Sequence, residues 1–285
     1  MKVETMNMKA GRMKARAEIP ELELRHVTRD FADPQKGAVT AIKDISFHVN
    51  EHEFVCIVGP SGCGKSSLLR IMAGLDAPTS GQALFRGKPI AGPDPKMGAM
   101  IFQTFALLPW LTVRENIEIG LEGAGVVRSR RREIVMKYVH LMELDDFADS
   151  HPYELSGGMR QRVGIARALA VEPHVLLMDE PFSALDAMTA ETLRNDVLEI
   201  WNDPKTKTNT FVMITHLIDE AVFMADRVIV LSRRPGTIIA DVPIDIPRPR
   251  LNHVRDPDFF EMCDMLKRLI SYHGGFEVNP EPEKK

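Results

Sequence analysis

The chain has 285 residues, 44% hydrophobic and 27% charged, with 36 basic against 40 acidic side chains and a net charge of −4. This composition excludes a mainly disordered chain, a collagen-like repeat and a coiled-coil rod, and the length suffices for one large domain or two modest ones around a sizeable core. There is no basic excess for wrapping nucleic acid, and no run approaches the roughly 18 consecutive apolar residues that span a bilayer. The sequence therefore predicts a protein that neither wraps nucleic acid nor crosses a membrane on its own. Three cysteines, Cys56, Cys63 and Cys263, form no CxxC pair, and their odd number leaves at least one thiol free. That points to a reducing compartment, the cytoplasm. Residues 1–20 carry scattered basic side chains and no apolar segment. They read as a loose arm and not a secretory signal, with contact to anionic lipid as the lesser alternative.

In chain order, residues 21–27 and 41–49 alternate apolar and polar, as half-buried strands do. Phe54–Val58 is a short continuous apolar run, the mark of a strand buried on both faces. A glycine-rich turn follows, then a helical pattern over 65–73, ended by Gly74 and Pro78. Residues 83–85 and 97–102 read as further strands. Between about 112 and 152, charged and apolar residues recur at helical spacing, which predicts a helical insertion. Its basic run, Arg128, Arg130, Arg131 and Arg132, reads as a solvated helix face, with contact to a partner or to lipid headgroups as the minor option. A helix after Met159, a buried strand over 174–178 and a helix over 186–201 come next. A buried strand at 211–215, a helix at 217–225 and strands at 228–231 and 237–242 complete the alternation. From Ile244 a proline-rich linker leads to an amphipathic helix over 257–271. Strands alternating with helices imply an α/β core with a largely parallel sheet.

Chemistry concentrates in a few places. Gly59, Pro60, Ser61, Gly62, Cys63, Gly64, Lys65 and Ser66 spell GxxxxGK[ST] after a buried strand and at the start of a helix. Glycines let consecutive backbone N–H groups turn toward one anion, and the helix N-terminus adds its positive end. Lys65 sets a compact charge against the β- and γ-phosphates, and Ser66 offers a hydroxyl to Mg²⁺. Cys63 is a spacer in this loop, not a nucleophile. A second motif, Val175 to Glu180, is an apolar strand ending in two acids, and it delivers carboxylates to the carboxyl edge of the sheet. Asp179 suits the Mg²⁺ shell through water, and Glu180 suits a general base on an attacking water. Together the two motifs define a nucleoside triphosphatase.

The segment Leu155-Ser-Gly-Gly-Met-Arg-Gln-Arg162 narrows this further. It resembles the signature of ATP-binding-cassette (ABC) ATPases. Over residues 21–240 the chain is similar to that family. The resemblance implies a P-loop NTPase with an ABC-type nucleotide-binding domain: a RecA-like core, an antiparallel β subdomain and a helical subdomain over about 104–160. The ATPase domain would span 21–245 and a C-terminal helical extension 246–285. Ser156, Gly157, Gly158 and Gln161 would contact ATP held by a second subunit, a homodimer or a heterodimer partner. By the same resemblance Gln103 is the Q-loop residue that senses Mg²⁺ and the attacking water. Asp186 closes the D-loop along the dimer seam, and His216 is the switch histidine on the γ-phosphate. Ser67 continues the nucleotide-binding loop. Phe31 is the candidate for stacking on adenine, with packing on the core as its alternative.

The segments 105–112, 218–226 and 232–236 resemble the nitrate, sulfonate and taurine importers, Pro109-Trp110 being the more telling piece. This implies an integral membrane permease docking near Trp110, a core position for that tryptophan being the alternative. A periplasmic solute-binding protein would act indirectly, and the chain would sit on the cytoplasmic face of the inner membrane. Its cofactors would be ATP and Mg²⁺. A soluble ABC ATPase of DNA repair or translation, or an exporter ATPase, is the alternative. The single cassette, the missing heptad run and the absence of fused membrane helices speak against both. Three departures from the family pattern are His52 in place of a glycine, Ser67 in place of a threonine, and Leu217 in place of an aspartate.

Overall fold

The described residues of this computed structural model are 19–33 and 37–274, and residues 1–18 of the expected N-terminal arm lie outside them. Strands β1 (Leu22–Asp33) and β2 (Gly37–Val49) precede the apolar strand β3 (Phe54–Val58) and helix α1 (Lys65–Met72). There follow β4 (Ser80–Phe85), β5 (Lys88–Pro89), β6 (Gly98–Ile101) and the helices α2 (Val113–Gly123), α3 (Arg128–Leu141) and α4 (Gly157–Ala170). Then β7 (Val175–Asp179), α5 (Ala187–Asn202), β8 (Thr210–Ile214), α6 (Ile218–Met224), β9 (Arg227–Leu231) and β10 (Ile238–Pro243) lead to α7 (Pro257–Gly274).

Six strands form one sheet in the order β10-β9-β3-β8-β7-β6, and four form a second in the order β2-β1-β4-β5. In the larger sheet the neighbours from β9 to β6 run parallel. β10 joins its edge antiparallel. The smaller sheet is antiparallel throughout. Strands β1 and β2 reach beyond the predicted 21–27 and 41–49. Their pairing continues through register shifts between Leu24 and Asp30, where the simple alternation of apolar residues breaks down. Phe31 consequently lies on a strand.

Side-chain parity explains the doubly apolar strands. Phe54, Cys56 and Val58 share one face with Leu176, Met178, Phe211 and Met213, and pack with apolar residues of α4, α5, α6 and α7. Val55 and Ile57 share the other face with Val175, Leu177, Val212 and Ile214, and meet α1 and the antiparallel sheet. Both faces are dry, so both parities must be apolar. Phe54 sits edge-on to Trp201 at 5.9 Å between ring centroids and 5.5 Å from Phe211. Burying each such side chain stabilises the fold by ~1.5–3 kcal/mol.

Helices α2, α3 and α4 pack through Ile117, Leu121, Val135, Val139 and Val163. Thr112 and Glu115 cap α2 reciprocally, the Thr112 amide donating to the Glu115 carboxylate at 2.8 Å. Of the basic run, Arg131 pairs with Glu122 at 3.4 Å and Glu118 at 3.8 Å, while Arg128, Arg130 and Arg132 are exposed. Phe259, Cys263 and Leu266 turn the inner face of α7 into the core.

The segment before α7 is anchored by arginine. Arg250 is 4% exposed, and its guanidinium donates to the carbonyls of Val222 at 3.0 Å and Phe223 at 3.4 Å, and to that of Ala225. These are among the carbonyls that the end of α6 leaves without helical partners. It also donates to Ile244 and Ile246, each at 3.0 Å. Burial pushes its pKa down. Arg248 pairs with Asp226 at 2.8 Å and lies over the Trp201 ring at 4.5 Å. The parallel order sets the carboxyl ends of β3, β8, β7 and β6 side by side, the edge where open α/β sheets bind ligands.

Candidate active site

The loop after β3 turns directly into α1. Gly64 caps that helix at φ 103, and a Cβ there would stand 2.4 Å from Ile42 Cγ2, so only glycine fits against β2. Lys65 is buried, and its ammonium donates to the carbonyls of Gly59 at 2.8 Å and Pro60 at 3.1 Å. The charge is thus held inside the curl of the loop. Ser61, Gly62 and Ser66 are exposed, and Cys63 is buried with its thiol pKa raised by burial, in keeping with a spacer role.

Four strand ends bring the other groups together. The Ser66 hydroxyl donates to Asp179 Oδ1 at 3.1 Å, joining the phosphate loop to the end of β7. Burial pushes the Asp179 carboxyl up, and the hydroxyl partly opposes this. A hydroxyl and a carboxylate side by side are hard oxygen donors, and this donor set fits Mg²⁺. Glu180 follows in the left-handed region at φ 46, an uncommon conformation for a side-chain-bearing residue. Its amide donates to the Ile214 carbonyl at 3.0 Å, and its carbonyl accepts from the Ser183 hydroxyl at 2.9 Å. That geometry aims its carboxylate at His216, with Nδ1 to Oε2 at 3.0 Å. Gln103, past the end of β6, reaches Glu180 Oε2 and Ser183 Oγ, each at 3.5 Å. The contact through Ser183 was not anticipated from sequence; its spacing of one tight turn from Glu180 is the only local signal.

The signature segment forms a second helix terminus. Ser156 is exposed and caps α4, its hydroxyl accepting the Met159 amide at 3.3 Å. A Cβ on Gly158 would stand 2.4 Å from Thr189 Cγ2, so α5 closes on α4 there, whereas one on Gly157 would find ordinary contact at 3.6 Å. Gln161 departs from its expected place. It is fully buried and neither amide atom has a hydrogen-bond partner, so in this structure it lies beneath the turn and not on the surface beside Ser156. Helical periodicity explains this: the residue lies on one inward stripe with Ile165, Ala168 and Leu169. Asp186 caps α5, accepting the Thr189 amide at 3.0 Å and hydroxyl at 2.7 Å, and the amide bond leads in holding its pKa down.

Phe31 is 38% exposed, with the Arg29 guanidinium 4.8 Å from its ring centroid. It is not a core residue. Trp110 is 69% exposed, which removes the alternative of a core tryptophan. Its loop is shaped from behind. Buried Asn116 accepts the Leu108 amide at 2.8 Å and donates to the carbonyls of Leu108, Leu111 and Thr112. Arg167 donates to the carbonyl of Ala106 at 2.7 Å and to that of Phe105 at 3.2 Å, residues that both lie at φ 48.

A parallel sheet whose strand-end loops hold a lysine-bearing phosphate loop, a serine–aspartate pair and a glutamate–histidine pair defines a nucleoside triphosphatase. The ABC transporter family profile matches residues 42–183. An ABC transporter ATP-binding protein of Methanocaldococcus jannaschii is 46% identical, covering 92% of this chain and 93% of its own. The nitrate import ATP-binding protein NrtD of Synechocystis is 44% identical over 87% of this chain and 94% of its own. The bicarbonate transport ATP-binding protein CmpD of the same organism is 42% identical over 80% and 81%. An ATP-binding cassette solved as a dimer in a post-hydrolysis state with ADP and Pi superimposes with a TM-score of 0.69, at 32% identity, over 79% of this chain and all of that one. The chain belongs to the ATP-binding cassette transporter family, and it is an ATP-binding, ATP-hydrolysing cassette of that family.

Proposed function

We propose that this chain is the ATPase subunit of an importer, energising uptake of a small nitrate-, sulfonate- or taurine-type solute through a separate membrane permease. The observation that carries it is the juxtaposition, on adjacent strand ends, of Lys65, the Ser66–Asp179 pair and the Glu180–His216 pair. The names of relatives at 42–44% identity, nitrate and bicarbonate import, favour a small anion. Residues 21–245 form the ATPase unit, with a helical part over about 104–160, and 246–285 the extension.

The backbone of Gly59–Ser66 and the Lys65 ammonium hold the β- and γ-phosphates, Ser67 flanks them, and Phe31 stacks on the adenine. Ser66 and Asp179 would hold Mg²⁺, with Gln103 beside them, and the ion would withdraw charge from the phosphate oxygens. Glu180 accepts a proton from the water that attacks the γ-phosphorus; the bond to the β-phosphate oxygen breaks and ADP leaves with the electron pair. His216 Nδ1 orients Glu180 and places the ring by the γ-phosphate. Ser156 and Gly157, beside Asp186, face the nucleotide of a second ABC subunit, the same chain or a related one. Exposed Trp110 docks the permease, as a large aromatic anchor suits a protein interface. The permease in turn meets a periplasmic solute-binding protein, and the chain works at the cytoplasmic face of the inner membrane. Among the described residues no helix is long and apolar enough to cross a membrane.

Glu180→Gln is the test. Turnover should fall roughly 10²–10⁴-fold, with ATP retained and the protein eluting as a dimer in MgATP. Wild-type hydrolysis by that variant would remove Glu180 as the base.

A further inference from the structure

Behind the His216 turn lies a carboxylate that the chemistry above leaves unused. Glu220, on α6, is 3% exposed and faces Arg194 of α5, with Nη1 to Oε1 at 3.7 Å. That separation is an ion pair but not a hydrogen bond. Arg194 Nε and Glu220 Oε1 are both buried and neither has a hydrogen-bond partner. A buried carboxylate and a partly exposed guanidinium held beyond hydrogen-bond distance are costly, and the cost falls in any arrangement that closes the gap.

The other side of Glu220 leads to the reacting groups. The Thr215 hydroxyl lies close enough to this carboxylate to favour its charged form. The same hydroxyl oxygen accepts the Leu217 amide at 3.0 Å. Thr215 and Leu217 flank His216, so the Thr215 hydroxyl, beside Glu220, spans the turn that carries the imidazole. Helix α5 continues from the Glu180 loop through Asp186, and α6 follows His216 directly. The Arg194–Glu220 pair therefore ties together the two helices that lead away from Glu180 and His216.

We propose that Arg194 and Glu220 are positioning residues for ATP hydrolysis. Their pair closes to hydrogen-bond length in the hydrolysing state and, through Thr215 and the Leu217 amide, sets the His216 ring against Glu180. This rests on His216 serving the γ-phosphate as proposed above. The lysine-bearing loop is untouched, so the pair governs the rate of the chemical step and not the binding of ATP.

The test is steady-state MgATP turnover by the full chain carrying Glu220→Gln, Arg194→Met, both together, or Arg194→Lys. Each of the first two should lower kcat by about ten- to a hundredfold, with the KM for ATP within about twofold of wild type. The double variant should be no slower than the slower single one, the mark of a coupled pair. Arg194→Lys, which keeps the charge, should recover part of the rate. Wild-type kcat, losses that multiply in the double variant, or a rise in KM that matches the fall in kcat would each overturn the proposal. Arg194 is partly exposed, so its variants decide the matter if Glu220→Gln does not fold. His216→Ala run in parallel separates the two readings. Full turnover by His216→Ala removes the switch histidine itself. An inactive His216→Ala beside normal Arg194 and Glu220 variants removes only the role of the pair.

Discussion

Glu180 holds its left-handed backbone at φ 46 through three contacts: its amide on Ile214, its carbonyl on Ser183 and its carboxylate on His216. The conformation costs a side-chain-bearing residue ~1–2 kcal/mol, and the surrounding bonds over-determine it. Glu180→Gly should abolish turnover while leaving thermal stability equal to wild type or higher by up to about 1 kcal/mol. A clear drop in melting temperature would show that the backbone is not strained there. Gly158 poses the opposite constraint. Gly158→Ala puts a methyl 2.4 Å from Thr189 Cγ2. It should destabilise by ~1–3 kcal/mol, as overpacking does. Thr189→Ser removes that carbon but keeps the hydroxyl that Asp186 accepts. The double variant should therefore recover the midpoint of urea unfolding, and no recovery would place the steric conflict elsewhere. Lys65, Asp179, Glu180 and His216 were legible as residues. The Ser183 contact and the burial of Gln161 were not, because both depend on how a turn or a helix is rotated against its neighbours.

At the scale of elements, short continuous apolar runs located β3, β7 and β8 closely, because a strand dry on both faces must be apolar at both parities. The ends of β1 and β2 escaped sequence reading because backbone pairing, not side-chain alternation, carries them through their bulges. The two-residue β5 is too short to show any period. The attachment of α7 likewise rests on a buried contact, the Arg250 guanidinium on the carbonyls at the end of α6. Arg250→Met keeps the bulk and strands those carbonyls, and should cost ~2–4 kcal/mol, several times the value of one exposed pair. Arg128→Ala, on the exposed face of α3, should change stability by less than about 0.5 kcal/mol. Equal losses from the two variants in urea unfolding would refute the anchoring role.

The whole molecule buries its thiols. Burial pushes Cys56 well above its ordinary value and Cys263 up to about 12 from 9.0. Each folded pKa lies above the unfolded one, so above pH 9 the unfolded chain releases protons that the native state keeps. The stability these groups contribute is complete below about pH 9 and is lost as pH rises toward 12, at up to about 1.4 kcal/mol per pH unit for each thiol. Unfolding midpoints between pH 7 and 10.5 should follow that curve, and Cys263→Ala should make it shallower; an unchanged slope would mean that the thiol does not titrate with unfolding. The sequence by itself determined the α/β class, the phosphate loop, the acid pair after β7 and the family, because each is a local pattern of residue types whose chemistry admits few substitutes. Tertiary structure alone decided the adjacency of the strand ends, the left-handed turn at Glu180, the closure of α5 on Gly158 and the Arg194–Glu220 pair. Those depend on strand order and helix rotation, which arise from packing between segments far apart in the chain.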